Sequence, residues 1–386
     1  MKKRTVWAIV AALVLAAVST ACGNGNGEED ADVEMEVPDG VDAEEGAEDV
    51  PLEDPAADDP EALDDGMEDP LDDPDATDAD DGDDGEEPPP GGTVETMSGQ
   101  LPSRVGGIAA ATDGTVAYIF GGVTGTPPDS ATDAIVRYDP VADEAAALGV
   151  TLPTPTFIAS ADWCGDAAYV FGGYAGSGLT DAVIRFDPEA STVEAVGAVL
   201  PSPLGRTAAA WNGSTAILMG GNTGSFVPTG FSDLVAVFDP SGDTVTALTA
   251  ALPTPRASRI GAVFCGSRAL LFGGWGASGK VDEIVEVDTS GGTVTDLEAR
   301  LPVALDGGAL ACDGTVVYLF GGESDTATLD LIVRFDTATD EAVLLDVTLP
   351  QPLRGHAAVW IGDGAYIFGG NTPSGLSNAI LKFTPL

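Results

Sequence analysis

The chain has one histidine, His356, in 386 residues. A single imidazole excludes a His-rich metal site and a paired-His copper centre. Ser-His-acid catalysis needs only one histidine, but no nucleophile-elbow sequence accompanies it. Basic residues are scarce too: 15 Lys and Arg face 63 Asp and Glu, a formal charge of −48. Such a chain repels nucleic acid and anionic lipid head groups. The four cysteines show no CxxC spacing, so zinc is not indicated. The one long apolar stretch, residues 5–21, is too short and wrongly flanked for a membrane span.

That stretch follows the basic residues Lys2, Lys3 and Arg4, and together they read as an export signal over 1–21. It ends VSTACG, with Cys22 after small residues. This resembles the bacterial lipoprotein signal, departing from it at Ser19, where Leu is usual. The resemblance implies that Cys22 becomes the lipidated first residue; the alternative is a plainly secreted chain. Residues 23–92 hold 31 acidic residues and no Lys or Arg. Such a segment cannot bury enough apolar surface to offset chain entropy, so 22–92 is expected to be a disordered acidic stalk. Its charges repel and extend it. Residues 75–87 are Asp-rich but fit no EF-hand register.

Beyond the stalk lies a repeat. VAYIFGG at 116–122 recurs as AYVFGG at 168–173, AILMGG at 216–221, ALLFGG at 269–274, VYLFGG at 317–322 and AYIFGG at 365–370. The first Gly of each pair falls at 121, 172, 220, 273, 321 and 369, a period near 50 that signals a repeat architecture. Each run reads as a strand covered on both faces. A Leu-Pro pair opens every repeat, at 101, 152, 200, 252, 301 and 349. A small-residue strand follows, then a hairpin signal such as Asp113-Gly114 or Asn212-Gly213. After the Gly-Gly strand comes a third of the type DAIVRYDP (133–140), then a fourth such as TVEAV (192–196).

These motifs closely resemble the kelch family: a hydrophobic run with Gly-Gly, an aromatic-Asp-Pro, then Leu-Pro and often Arg. The resemblance implies an all-β, six-bladed kelch-type β-propeller over 93–386. Val196, Val245, Val294 and Val343 stand near the place where kelch blades usually carry a fourth-strand Trp. The sixth repeat ends after its third strand. Its fourth is found at the other end, where TVETMSGQLP (93–102) matches TVEAVGAVLP (192–201). The ring is therefore expected to close through the N-terminal strand.

Cys164, Cys265 and Cys312 lie near the first-strand turns of three repeats. They are read as buried apolar residues. A Cys265–Cys312 bond is the alternative, disfavoured because equivalent positions in neighbouring blades are too far apart. Trp163, Trp211, Phe264 and Trp360 each precede the first Gly by nine residues and read as inter-blade packing. The ligand-contact candidates are Arg206, Arg256, Arg259 and Arg354 after Leu-Pro, with Tyr174 and Trp275 after Gly pairs. Kelch-like repeats often use such arginines to tie blades together, so bracing is the competing reading.

The expected function is a membrane-tethered, extracytoplasmic module that binds a carbohydrate, a small anion or another protein, as a monomer without metal or cofactor. Its only membrane contact would be the lipidated N-terminus. No catalytic residue is assigned. The alternative is a metal-independent, sugar-active enzyme resembling exported sialic-acid mutarotases. A galactose-oxidase-type copper site is excluded by the single histidine. Ligand is expected on the face carrying the loops between second and third strands, two of which (123–132 and 222–232) are the longest.

Overall fold

Every apolar Gly-Gly run forms a strand buried on both faces, such as Ala117–Phe120, Ala167–Phe171 and Val316–Phe320. They belong to a computed structural model that describes residues 91–225 and 229–386. The expected signal peptide, Cys22 and nearly all of the acidic stalk lie outside the described residues. Within these, the protein is all-β, built of small antiparallel sheets.

Six of those sheets have four strands, numbered here 1–6 in the chain order of their Gly-Gly strands. Sheet 1 runs in simple order through Ala109–Thr112, Ala117–Phe120, Ala134–Asp139 and Glu144–Thr151. Sheets 2 to 5 repeat that order. Sheet 6 takes Ala357–Ile361, Gly364–Phe368 and Ala379–Pro385 from the C-terminus, and its outer strand, Gly92–Gln100, from the N-terminus. Gly92 pairs with Pro385 and Val94 with Phe383; a bulge separates Thr96, opposite Leu381, from Gln100, opposite Ala379. The strand supplied from the far end of the sequence is thus where the repeat alignment expects it. The first strand of each sheet lies beside those of the preceding and following sheets, and that of sheet 6 lies beside that of sheet 1.

The Gly pairs join neighbouring sheets. Gly121 and Gly122 have φ of +59° and +97°. That turn lets the Gly122 N–H reach the Thr156 carbonyl, 2.8 Å away in the segment leading to sheet 2. A Cβ on Gly121 would come within 2.0 Å of the same oxygen, so only glycine fits. The other five pairs bond alike, to Leu204, Arg256, Leu305, Leu353 and Val105. Each Leu of the Leu-Pro pairs is buried, which anchors the segment that receives these bonds.

One expectation is corrected. Cys265 and Cys312 form a disulfide across sheets 4 and 5, with Cα atoms 5.8 Å apart. The two are not at equivalent repeat positions: Cys265 precedes its Gly pair by eight residues and Cys312 by nine. Successive side chains on a strand point to opposite faces. The eighth-position side chain therefore faces the next sheet and the ninth-position one faces the previous sheet, so the offset brings the sulfurs together. Cys164 is a buried free thiol, as expected.

Candidate functional site

The six first strands are rich in alanine, and small side chains let them approach. Between them lies a cavity of about 120 Å³. Its wall includes Ile108, Ile158, Ile260 and Leu310, with Ser160, Arg206, Thr207, Arg259 and His356 as the polar side chains besides Ser258. Bridges from Val123 to Gly106 and from Asn222 to Gly205 place the second-to-third-strand loops against the segments after Leu-Pro. Loops and cavity mouth therefore share one end, as expected.

Main-chain bonds frame this end. Gly107 donates to Gly355, Ile158 to Gly107, Arg206 to Ile158, Ser258 to Arg206 and Gly355 to Gly307. Gly107, Ile158, Arg206, Gly307 and Gly355 all have positive φ, between 52° and 75°. Ile158 and Arg206 hold that conformation without being glycine, at an energetic cost. The link missing between sheets 4 and 5 is made by a side chain: Asp306 Oδ1 accepts the Arg259 N–H at 2.8 Å.

The arginines divide sharply. Arg256 is fully buried away from the cavity; it bonds the Thr254 and Gly273 carbonyls at 3.0 and 3.1 Å and ion-pairs with Glu283. Its side chain ties the segment entering sheet 4 to that sheet's second and third strands. Arg259 lines the cavity, but its Nε is 3.2 Å from Asp306 and its Nη2 2.7 Å from Glu323. Burial opposes its charge, yet those carboxylates prevail and raise its pKa. Arg354 pairs with Glu323 outside the cavity wall. Arg206 is different. It is 9% exposed, and its Nε and Nη1 have no hydrogen-bond partner among the described residues. Burial, aided by the charge of Arg259 and opposed by the more distant carboxylates Asp306 and Glu323, lowers its pKa to about 10, so it remains a cation at neutral pH.

Two hydroxyls in the wall, Ser160 Oγ and Thr207 Oγ1, are buried without partners among the described residues, and the ring nitrogens of buried His356 make no well-formed hydrogen bond, only a weak approach to the Phe320 main chain. Burial pushes the His356 pKa down to about 4, so the ring is neutral. No Asp or Glu belongs to the cavity wall. The cavity is thus locally cationic in a domain whose 32 acidic residues outnumber its 12 basic ones. Buried polar groups ordinarily find partners, and clustered exceptions mark a place built for something else.

The two aromatic candidates do not line this cavity. Tyr174 donates its hydroxyl to the Ser177 carbonyl at 3.0 Å and packs on Phe157. Trp275 lies under Lys280, whose Nζ is 3.6 Å from the ring centre. Trp163 and Trp360 stack on Tyr118 and Tyr318 of the preceding sheets, the packing expected of them.

Trp163, Trp211, Phe264 and Trp360 border a second, more open cavity of about 450 Å³. Ala110, Ala161, Ala209, Ala262, Leu310 and Ala358 belong to the walls of both. Asp162 lies in the second; it accepts the main-chain N–H groups of Trp163 and Trp211 at 2.8 and 2.7 Å. Burial raises its pKa to about 6 against the pull of those two bonds.

Sequence reasoning does not single out Ser160, Thr207 or the counter-ions Asp306 and Glu323. A signal for the arginines exists. Arg206 and Arg259 both precede their Gly pair by fourteen residues. The residue that faces each comes from the next repeat, fifteen before its Gly pair: Ser258 for Arg206, Asp306 for Arg259. Only Asp306 is a counter-ion. Among the described residues no group of three or more His, Cys, Asp or Glu could hold a metal ion. The chain matches no family model and no curated protein.

Proposed function

We propose that the chain is a six-bladed, kelch-type β-propeller whose ring closes through the N-terminal strand, and that it acts as an extracytoplasmic binding module for a small anionic ligand. Lipidation at Cys22 would hold it at the bacterial membrane, with the acidic stalk as spacer. The carrying observation is Arg206. An unpaired, nine-tenths buried guanidinium costs folding free energy unless an anion completes it. Bracing explains Arg256, Arg259 and Arg354, each of which has its carboxylate partner. It does not explain Arg206.

The sugar-active enzyme reading gains less support. It asks for a carboxylate of perturbed pKa beside the arginines, whereas the raised carboxyl, Asp162, lines the other cavity. A binding screen of the full chain against sugar acids, anionic glycans and simple organic anions tests the proposal. Saturable binding that disappears in Arg206→Gln supports it. Binding unaffected by that substitution, or confined to neutral glycans, counts against it.

A further inference from the structure

Resting on the anion-binding reading, we infer that the Arg206 cavity takes a compact monocarboxylate of two to four carbons, and neither a phosphate nor a whole sugar ring. Size is the first argument. The cavity is small, about 120 Å³ against the ~150 Å³ apolar cavity that admits benzene, and it is open at its mouth, so the part of a ligand that reaches the guanidinium must be compact.

Charge is the second. Among the arginines of the wall, Arg259 pairs with Asp306 and with Glu323, which it shares with Lys280 and Arg354, so Arg206 alone has no carboxylate in ion-pair contact. One guanidinium balances one carboxylate, and the two planar groups match in geometry. A phosphate carries about −1.5 to −2 at neutral pH and is typically cradled by successive main-chain N–H groups. At this end those groups are already used: the N–H groups of Gly107, Ile158, Arg206, Ser258 and Gly355 all donate to neighbouring carbonyls.

The rest of the wall fits the same ligand. Ile108, Ile158, Ile260 and Leu310 suit a short carbon chain. Ser160 Oγ, Thr207 Oγ1 and the neutral His356 ring can meet one hydroxyl or keto oxygen beside the carboxylate. A 2-hydroxy acid such as lactate would use both features, and acetate only the first.

Calorimetric titration of the full chain with sodium acetate, sodium L-lactate, sodium phosphate and sodium glucuronate tests this. Saturable heats are expected for acetate and lactate, tighter for lactate, and none for phosphate or glucuronate. Arg206→Gln should weaken both carboxylates at least tenfold. Thr207→Val, a near-isosteric change that keeps the guanidinium, should weaken lactate more than acetate. Glucuronate or phosphate binding through Arg206 without acetate or lactate binding overturns the small-carboxylate inference and leaves the anion-binding reading standing. No saturable binding by any of the four overturns the inference, and if the wider screen is also empty the anion reading falls with it. Acetate and lactate affinities unchanged in both variants would place the ligand elsewhere and overturn it too.

Discussion

Asp306 receives two bonds from Arg259, one from its main-chain N–H at 2.8 Å and one from its Nε at 3.2 Å. The first replaces the one main-chain link that sheets 4 and 5 lack at the cavity mouth, and the second neutralises a guanidinium in the cavity wall. Asp306 is fully buried. Replacing it with Ala strands the N–H and leaves the guanidinium with Glu323 alone; removing one partner of a buried pair costs up to about 3–5 kcal/mol. Asp306→Asn keeps an acceptor for the N–H and should lose less. Urea unfolding of the two variants measures this; equal losses would deny the carboxylate its electrostatic share.

The N-terminal strand should be indispensable. A chain beginning at Leu101 leaves Ala379–Pro385 as an open sheet edge and uncovers the core beneath Val94 and Met97. Compared with one beginning at Gly92, it should melt well below or aggregate. Equal melting and solubility of the two would sink the closure model.

Reduction should also be costly. The Cys265–Cys312 bond spans 47 residues. Loop closure of that size restricts the unfolded chain by about 4 kcal/mol in the entropic account. Denaturant midpoints with and without reductant report the loss, and coincident midpoints would show that the bond contributes nothing. Burial pushes the Cys164 thiol far above its usual range, so it should react with thiol reagents only after unfolding.

Buried His356 and half-buried Asp162 give stability opposite pH slopes. His356 falls from 6.5 to about 4 on folding, so the unfolded chain binds more protons between those values. Its contribution is complete above pH 6.5 and declines as pH drops towards 4, by about 3 kcal/mol. Asp162 rises from 3.8 to about 6, so it favours folding as pH falls through that window. The two contributions therefore largely cancel in the parent. The two shifts are nearly equal and opposite, so the parent's melting temperature should change little from pH 7 to 4, while that of His356→Gln should rise and that of Asp162→Asn should fall. A parent whose melting temperature rises towards pH 4 would contradict the balance.

The sheets were readable because local chemistry repeats: Gly pairs that only glycine can occupy, Leu-Pro anchors and a period near 50. The N-terminal strand was readable because it keeps the repeat's own sequence. What stayed hidden depends on which residue faces which across two sheets. Cys265 and Cys312 meet because they are offset by one position, which inverts the facing side chain. Arg206 and Arg259 share one repeat position, and only the next repeat tells them apart. His356 suggested a structural role by its position, yet its ring makes no well-formed hydrogen bond, only a weak approach to the Phe320 main chain.

The central claim is that Arg206 is held unpaired for a ligand and braces nothing. Thermal unfolding of Arg206→Gln, at low salt and without added anion, tests this most directly. Removing an unpaired buried charge should raise the melting temperature, by about 2–4 °C for each kcal/mol relieved in a domain of this size. A clear fall in melting temperature would show that Arg206 braces the fold, and would contradict the account.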